Sequence, residues 1–319
     1  MLDRRSLILM SMAALLPTAA PAAWRMRQPA PHTVDYGPAK LDIYAPDGAR
    51  GLPVVFFVHG GAWRFGKRSQ VNAKPAFLLA NGFGFVSIDY RMLPEADVAT
   101  QADDVEAAYR YIRANIAQHG GDPDRIVGMG HSAGCHLIAL TGMRGGLPGV
   151  AGLLLDDTRA YDLAALEKSG GMVRAYARVF SDPSQWTTLS PASYVDGRKH
   201  PPTFIAYSRA NGRDDQSKAF AKRLRATGTE VTLFDGSAYT HMSINHDFGE
   251  DGGRIDRHRA GVPQIDGRLS GESRERSWIR PKAQAGYCRA GAYGCYCRIC
   301  LFRRNSGRKT ASHFSWNCS

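Results

Sequence analysis

Cysteine is nearly missing from most of this 319-residue chain. Cys135 stands alone until residue 288, and the other five, Cys288, Cys295, Cys297, Cys300 and Cys318, crowd the end. A disulfide-stapled scaffold is thereby excluded for the body, which is long enough to bury a large core of its own. Cys297 and Cys300 have the spacing of half a metal site, but no second well-spaced Cys/His pair completes it, so no metal is expected. Long hydrophobic runs are lacking too. The apolar run at residues 7–16 falls short of the roughly 20 residues that span a bilayer. Acidic residues are scarce in one region: residues 251–319 hold 14 Lys or Arg against 5 Asp or Glu, which is +9 of the formal +12. The body is therefore close to neutral, and a nucleic-acid-binding groove is not expected of it.

What is present begins with a leader-like pattern. Arg4-Arg5 precede the apolar run, and Pro17 and the small residues Ala20-Pro21-Ala22-Ala23 follow it. That order of charged, apolar and small residues is the order of a secretory signal, with a loose likeness to the twin-arginine type. Residues 1–23 are thus expected to be an export signal, and the protein periplasmic or secreted, with no stable membrane anchor once the signal is removed. Residues 24–251 are expected to form the domain. From 252 to 319 Arg, Gly, Ser and Cys dominate, and apolar positions do not recur at helical spacing. Two readings remain open there: a disordered basic appendage, or sequence produced by a shifted reading frame near residue 252.

Between residues 34 and 249 strand-like and helix-like segments alternate, the pattern of an α/β domain with a mostly parallel sheet and helices on both faces. The continuous apolar run at 54–58 leads into His59-Gly60-Gly61, and Phe83-Gly84-Phe85-Val86-Ser87-Ile88 is a second buried strand. Val105, Ala108, Tyr109, Ile112 and Ile116 recur at helical spacing, with Asp103 and Asp104 at the N-terminal end, where the helix dipole favours them. Residues 163–190 are less periodic and are read as a small cap.

Two motifs carry chemistry. Gly130-His131-Ser132-Ala133-Gly134 follows an apolar strand and has the Gly-x-Ser-x-Gly form of a nucleophile elbow. A serine at a helix start also reads as an ordinary N-cap, but the flanking glycines and the preceding strand favour the elbow. His59-Gly60-Gly61 upstream is the kind of glycine-rich turn whose backbone N–H groups can hold a developing oxyanion. Together they point to a serine hydrolase. Ser132 is the nucleophile, and His241, directly after the last strand at 231–234, is the base. His59, His131, His136 and His246 compete with it.

With Leu41-Asp42-Ile43-Tyr44, His59-Gly60-Gly61-Ala62-Trp63, Asp89-Tyr90-Arg91, Gly120-Gly121-Asp122-Pro123 and Ser190-Pro191 in order along the chain, the sequence resembles α/β-hydrolases of the carboxylesterase type. The groups it is most similar to are the hormone-sensitive-lipase-like, feruloyl-esterase-like and arylformamidase-like ones. The resemblance implies an α/β-hydrolase fold, cleavage of small-molecule carboxylic esters through an acyl-enzyme, and no cofactor. It also implies oxyanion donors at Gly60 or Gly61 and Ala133; Trp63 is read as lining the substrate pocket, with simple core as the alternative. The acid is implied a few residues after the strand at 203–207, where the expected slot falls on Asn211. Asp214 is favoured, with Asp215 or no acid at all as alternatives. An amidase or arylformamidase on the same site, and a non-catalytic member of the fold, are the competing functions.

Overall fold

The computed structural model describes residues 30–209 and 212–250, and four residues near the end of the chain. The expected signal at 1–23, the slot at Asn211 and nearly all of the tail from 252 lie outside the described residues. In a separate unit, Glu272–Ser319, the described residues form the antiparallel pair β9 (Arg304–Asn305) and β10 (Arg308–Lys309).

Among the described residues the main sheet has eight strands: β1 (His32–Asp35), β2 (Lys40–Tyr44), β3 (Leu52–Val58), β4 (Gly84–Ile88), β5 (Gly121–His131), β6 (Gly152–Asp156), β7 (Thr203–Ser208) and β8 (Val231–Gly236). Their order is β1-β2-β4-β3-β5-β6-β7-β8. β2 pairs antiparallel with both β1 and β4, and β4, β3, β5, β6, β7 and β8 are parallel. The inner strands are covered on both faces, which is why β3 and β4 read as unbroken apolar runs rather than alternating ones.

The helices are α1 (Lys74–Ala80), α2 (Val98–Asn115), α3 (Ala133–Arg144), α4 (Leu163–Lys168), α5 (Arg174–Ala177), α6 (Trp186–Leu189), α7 (Arg213–Ala226) and α8 (Ser243–His246). α2, α3 and α7 close the larger core, with Val105, Tyr109, Leu137, Ile138, Phe220 and Leu224 buried against Phe56 and Ile205. The opposite face holds a smaller core, in which Leu78 of α1, Ile244 of α8 and Phe248 cover Val55, Phe57, Phe85 and Val127. Among the described residues no helix is long and apolar enough to cross a membrane.

α2 begins earlier than its apolar spacing suggests. Asp97 caps it by accepting a hydrogen bond from Thr100 N at 2.8 Å, a contribution of about 1 kcal/mol. Val98, Ala102, Val105, Ala108, Tyr109 and Ile112 line its buried face, each large side chain worth about 1.5–3 kcal/mol. Asp103 and Asp104, expected at the N-terminal end, therefore lie in the second turn. Asp103 pairs with Arg144 of α3, and buried Asp104 takes the guanidinium of Arg91. Gly120, at φ 82°, ends the short 3₁₀ turn after α2 and leads into β5. Residues 163–190 do not form a sheet-covering layer of long helices. They make α4, α5 and α6, joined by turns, with Leu163, Leu166, Phe180 and Leu189 buried in the larger core.

Candidate active site

The strand registers bring several chemistry-bearing residues to one edge of the sheet. His131 at the end of β5 pairs with Asp156 of β6, Asp156 with Ala206 of β7, and Ser208 of β7 with Gly236 of β8. The residues just past these ends therefore face a common crevice outside the carboxyl ends of the parallel strands, the usual place for a site in such a sheet.

Ser132 sits in the turn from β5 into α3 at φ 56°, ψ −116°, a strained conformation for a residue with a side chain. The two flanking glycines make the turn possible. A Cβ on Gly130 would lie 2.3 Å from the carbonyl oxygen of Gly134, and one on Gly134 would lie 2.1 Å from that of Val58. Although Ser132 occupies the N-cap position of α3, its side chain makes no capping hydrogen bond. Its hydroxyl instead lies 3.0 Å from Nε2 of His241.

His241 follows β8 in a turn that α8 stabilises. Thr240 N donates to Ser243 Oγ at 3.0 Å and Ser243 N to Thr240 Oγ1 at 3.1 Å. From the elbow, Nε2 of His131 meets the carbonyl oxygen of His241 at 2.9 Å, and the two rings lie 4.7 Å apart. Burial, aided by the neighbouring His241, pushes the pKa of His131 down to about 3, so it holds this carbonyl as a neutral N–H donor. His246 does not join the site. Its side chain is largely exposed and lies 3.6 Å from Asp247.

The carboxylate at Nδ1 of His241 is that of Asp157, at 2.6 Å. Asp157 directly follows β6 at φ 63°, with its side chain fully buried. It accepts hydrogen bonds from Ser208 N at 2.7 Å and Ser208 Oγ at 2.6 Å, and Nε of Arg213 lies 3.3 Å away. Burial by itself would raise its pKa. The hydrogen bonds from His241 and Ser208 outweigh burial and hold the carboxyl below the ordinary aspartate value. Asp214 is thus corrected. It lies in the first turn of α7, half-exposed, with its carboxylate 2.9 Å from Nζ of Lys218, four residues on. Asp215 lies beside it in that exposed turn. β7, expected to deliver the acid, delivers Ser208 to hold it.

Ser132, His241 and Asp157 thus form one hydrogen-bonded line. The BD-FAE family model matches residues 41–162. Carboxylesterase NlhH of Mycobacterium tuberculosis is 31% identical over 228 residues, which are 64% of this chain and 70% of NlhH. The chain belongs to the α/β-hydrolase carboxylesterase family.

Esterase LipQ of the same organism is 33% identical over 239 residues, 66% of this chain and 56% of LipQ, so the chain spans only about half the length of that relative. The crystal structure of EstE1, a thermostable carboxylesterase cloned from a metagenomic library, superposes with a TM-score of 0.61 at 22% identity. It covers 74% of this chain and 87% of EstE1, and supports the fold.

Within the α/β-hydrolase frame the glycine-rich turn lies against the elbow. A Cβ on Gly60 would come within 3.0 Å of the Cβ of Ser132, and one on Gly61, at φ 129°, within 1.8 Å of the carbonyl oxygen of Phe65. Both positions therefore require glycine. Ala133 opens α3 directly after Ser132. His59 shapes the turn: its Nδ1 meets the carbonyl oxygen of Gly60 at 2.7 Å, and its ring stacks on Tyr90.

Trp63 is 2% exposed and belongs to the larger core rather than to an open pocket wall. Its Nε1 donates to Nδ1 of His136 at 3.2 Å, and Tyr176 and Phe180 pack edge-on against it. The reason is that Tyr176 and Phe180, from the segment after α4, cover it. His136, whose pKa burial lowers to about 4, donates from Nε2 to the carbonyl oxygen of Leu189 and is a fixed neutral core histidine.

His131, Asp157 and His241 offer possible metal-ligand atoms within 4.8 Å of one another. Every one of these groups is already engaged in the hydrogen bonds above. The acid that sequence reasoning missed had a signal: Asp156 and Asp157 end the apolar run at 150–155. Nothing local distinguishes the two. In the fold, Asp156 is a strand residue and Asp157 turns toward His241.

Proposed function

We propose that this chain is a serine carboxylesterase acting on small-molecule carboxylic esters, with Ser132 as nucleophile, His241 as general base and Asp157 as the acid. The hydrogen-bonded line from Ser132 Oγ through both nitrogens of His241 to Asp157 carries the reading. Nε2 of His241 takes the hydroxyl proton as Oγ attacks the ester carbonyl. Asp157 holds Nδ1–H in the matching tautomer and stabilises the imidazolium that forms. The backbone N–H groups of Gly60 or Gly61 and of Ala133 hold the oxyanion. Collapse of the tetrahedral intermediate releases the alcohol, which takes the proton from His241, and leaves an acyl-enzyme on Ser132. Water, activated by the same histidine, then frees the acid. Each step uses groups of the chain itself and water.

Residues 163–190 are proposed as a small cap near the site, because Tyr176 and Phe180 pack on Trp63, two residues past the Gly60-Gly61 turn. Export is part of the proposal and rests on Arg4-Arg5, the apolar run after them and the small residues ending at Ala23. N-terminal sequencing of secreted protein is expected to begin near Ala23 or Trp24, and an intact Met1 on active protein would contradict it. For the chemistry, purified protein is offered p-nitrophenyl acetate and butyrate. Hydrolysis that disappears in Ser132→Ala, with the fold retained by circular dichroism, supports the proposal, and hydrolysis that survives the substitution sinks it.

A further inference from the structure

A buried guanidinium without a counter-ion lies beside the proposed acid. Arg159 is two residues past Asp157 and 4% exposed. Its Nε meets no acceptor, and the group it packs on is the ring of Tyr176, 5.2 Å from the guanidinium carbon. Arg213, also buried, is engaged with Asp157. Burial lowers the pKa of Arg159, and the charge of Arg213 adds to that effect against an opposing one from Tyr176. An ionised group held in this way is costly to bury unless an anion pairs with it.

Arg159 lines a cavity of about 590 Å³ between α4 and α7. Gly171 keeps its front clear, because a Cβ there would lie 3.1 Å from Nη2 of Arg159 and 2.5 Å from Leu166. The walls are partly apolar: Tyr161 and Phe220 stack at 4.4 Å, and Leu166 and Val173 join them. Asp162, Asp215 and Arg223 also line it. The carboxylate of Asp162 is used to cap α4, accepting from Ala165 N at 2.9 Å, and Asp215 and Arg223 face solvent on α7.

A guanidinium fork matches either a carboxylate or a phosphate. Here two carboxylates already stand on the walls and one buried cation is unpaired, so a singly charged anion fits and a dianion would be repelled. The apolar surface fits a hydrocarbon or aromatic body. We propose that this cavity is a binding site for a small carboxylate with an apolar body, anchored by Arg159. The carboxylate belongs either to the ester substrate itself, in which case the inference rests on the esterase reading, or to a free acid acting on the enzyme.

The full chain carrying Ser132→Ala is titrated calorimetrically with valerate, benzoate and inorganic phosphate. Expected are saturable binding of the carboxylates, weaker binding of phosphate, at least a tenfold loss in Arg159→Gln and a smaller loss in Arg159→Lys, which keeps the charge if the glutamine variant fails to fold. The active enzyme is then given monoethyl glutarate and ethyl valerate. If the carboxylate is the substrate's own, kcat/KM favours the charged ester, and Arg159→Gln lowers the ratio of the two values about 100-fold. If it is a free acid, that ratio stays the same and added benzoate changes turnover in an Arg159-dependent way. Carboxylate binding that depends on Arg159 in a protein hydrolysing no ester keeps the site and removes the esterase reading. Equal binding in the parent and in Arg159→Gln, or none in either, overturns the site.

Discussion

β6 and β7 are neighbours in the sheet, and aspartates lie shortly after the end of each, yet the two sets meet opposite fates. After β6, Asp157 has a fully buried side chain, turns through a left-handed conformation and receives hydrogen bonds from Ser208 and His241. After β7, Asp214 enters a helix, keeps 42% of its side chain exposed and neutralises Lys218 in the next turn. Both are ionised, and only one has a field worth using. A charge in water is screened and its partner is replaceable, whereas a buried carboxylate fixed by donors acts on one imidazole at close range. The acid of this site is thus marked by its buried donors rather than by its place in the chain order of strands.

The sharpest way to break that contrast is Asp157→Asn. We expect kcat on p-nitrophenyl butyrate to fall by about 10⁴-fold, because an amide holds the wrong tautomer of His241 and cannot stabilise its cation. A loss below tenfold would show that another carboxylate serves His241.

Ser208→Ala tests the support of the acid. It removes one hydrogen bond to a buried charge, worth about 1.5–3 kcal/mol, and leaves the one from the Ser208 backbone. A fall in kcat of about tenfold is expected, measured beside thermal stability to separate a slowed site from a loosened fold.

The buried histidines around the elbow predict an acid instability. His131 and His136 have folded-state pKa values of about 3 and about 4 against 6.5 for an unfolded histidine. Between these values the unfolded chain binds more protons. The stability that comes from keeping them neutral is complete above about pH 6.5 and is lost as pH falls toward the folded values, by up to about 1.4 kcal/mol per pH unit for each histidine. Urea unfolding at pH 7.5 and 5 is expected to give a lower midpoint at pH 5, and His136→Gln is expected to flatten that difference. A midpoint indifferent to pH would show that these rings are not buried as neutral groups.

The smallest effect is expected at Asp214→Asn, within about twofold of the parent in kcat and within about 0.5 kcal/mol in stability, the range of an exposed helical ion pair. A loss of orders of magnitude in steady-state turnover would restore Asp214 as the acid and undo the comparison.

Legibility in the sequence followed the range of the interactions concerned. The elbow could be read because its steric demand is met within five consecutive residues, where Gly130 and Gly134 let the backbone pass. His241 could be read because it lies directly past the last strand of the sheet. Trp63 was misplaced because an indole after a glycine turn serves a pocket or a core equally well. The choice was made by Tyr176, Phe180 and His136, which arrive from distant segments. Asp103 and Asp104 were misread for a related reason: their partners, Arg144 and Arg91, lie on other elements.

The sequence by itself determined the alternation of strands and helices, the elbow serine, the histidine past the last strand and the glycine turn beside them, because each is written in short-range pattern and backbone sterics. Only the tertiary structure decided the acid. The contact between Asp157 and His241 joins residues 84 apart. Of the aspartates past β6 and β7, the one that meets the imidazole is selected by the order β5-β6-β7-β8, which sets Ser208 and His241 around the turn at Asp157 and leaves Asp214 on a solvated helix.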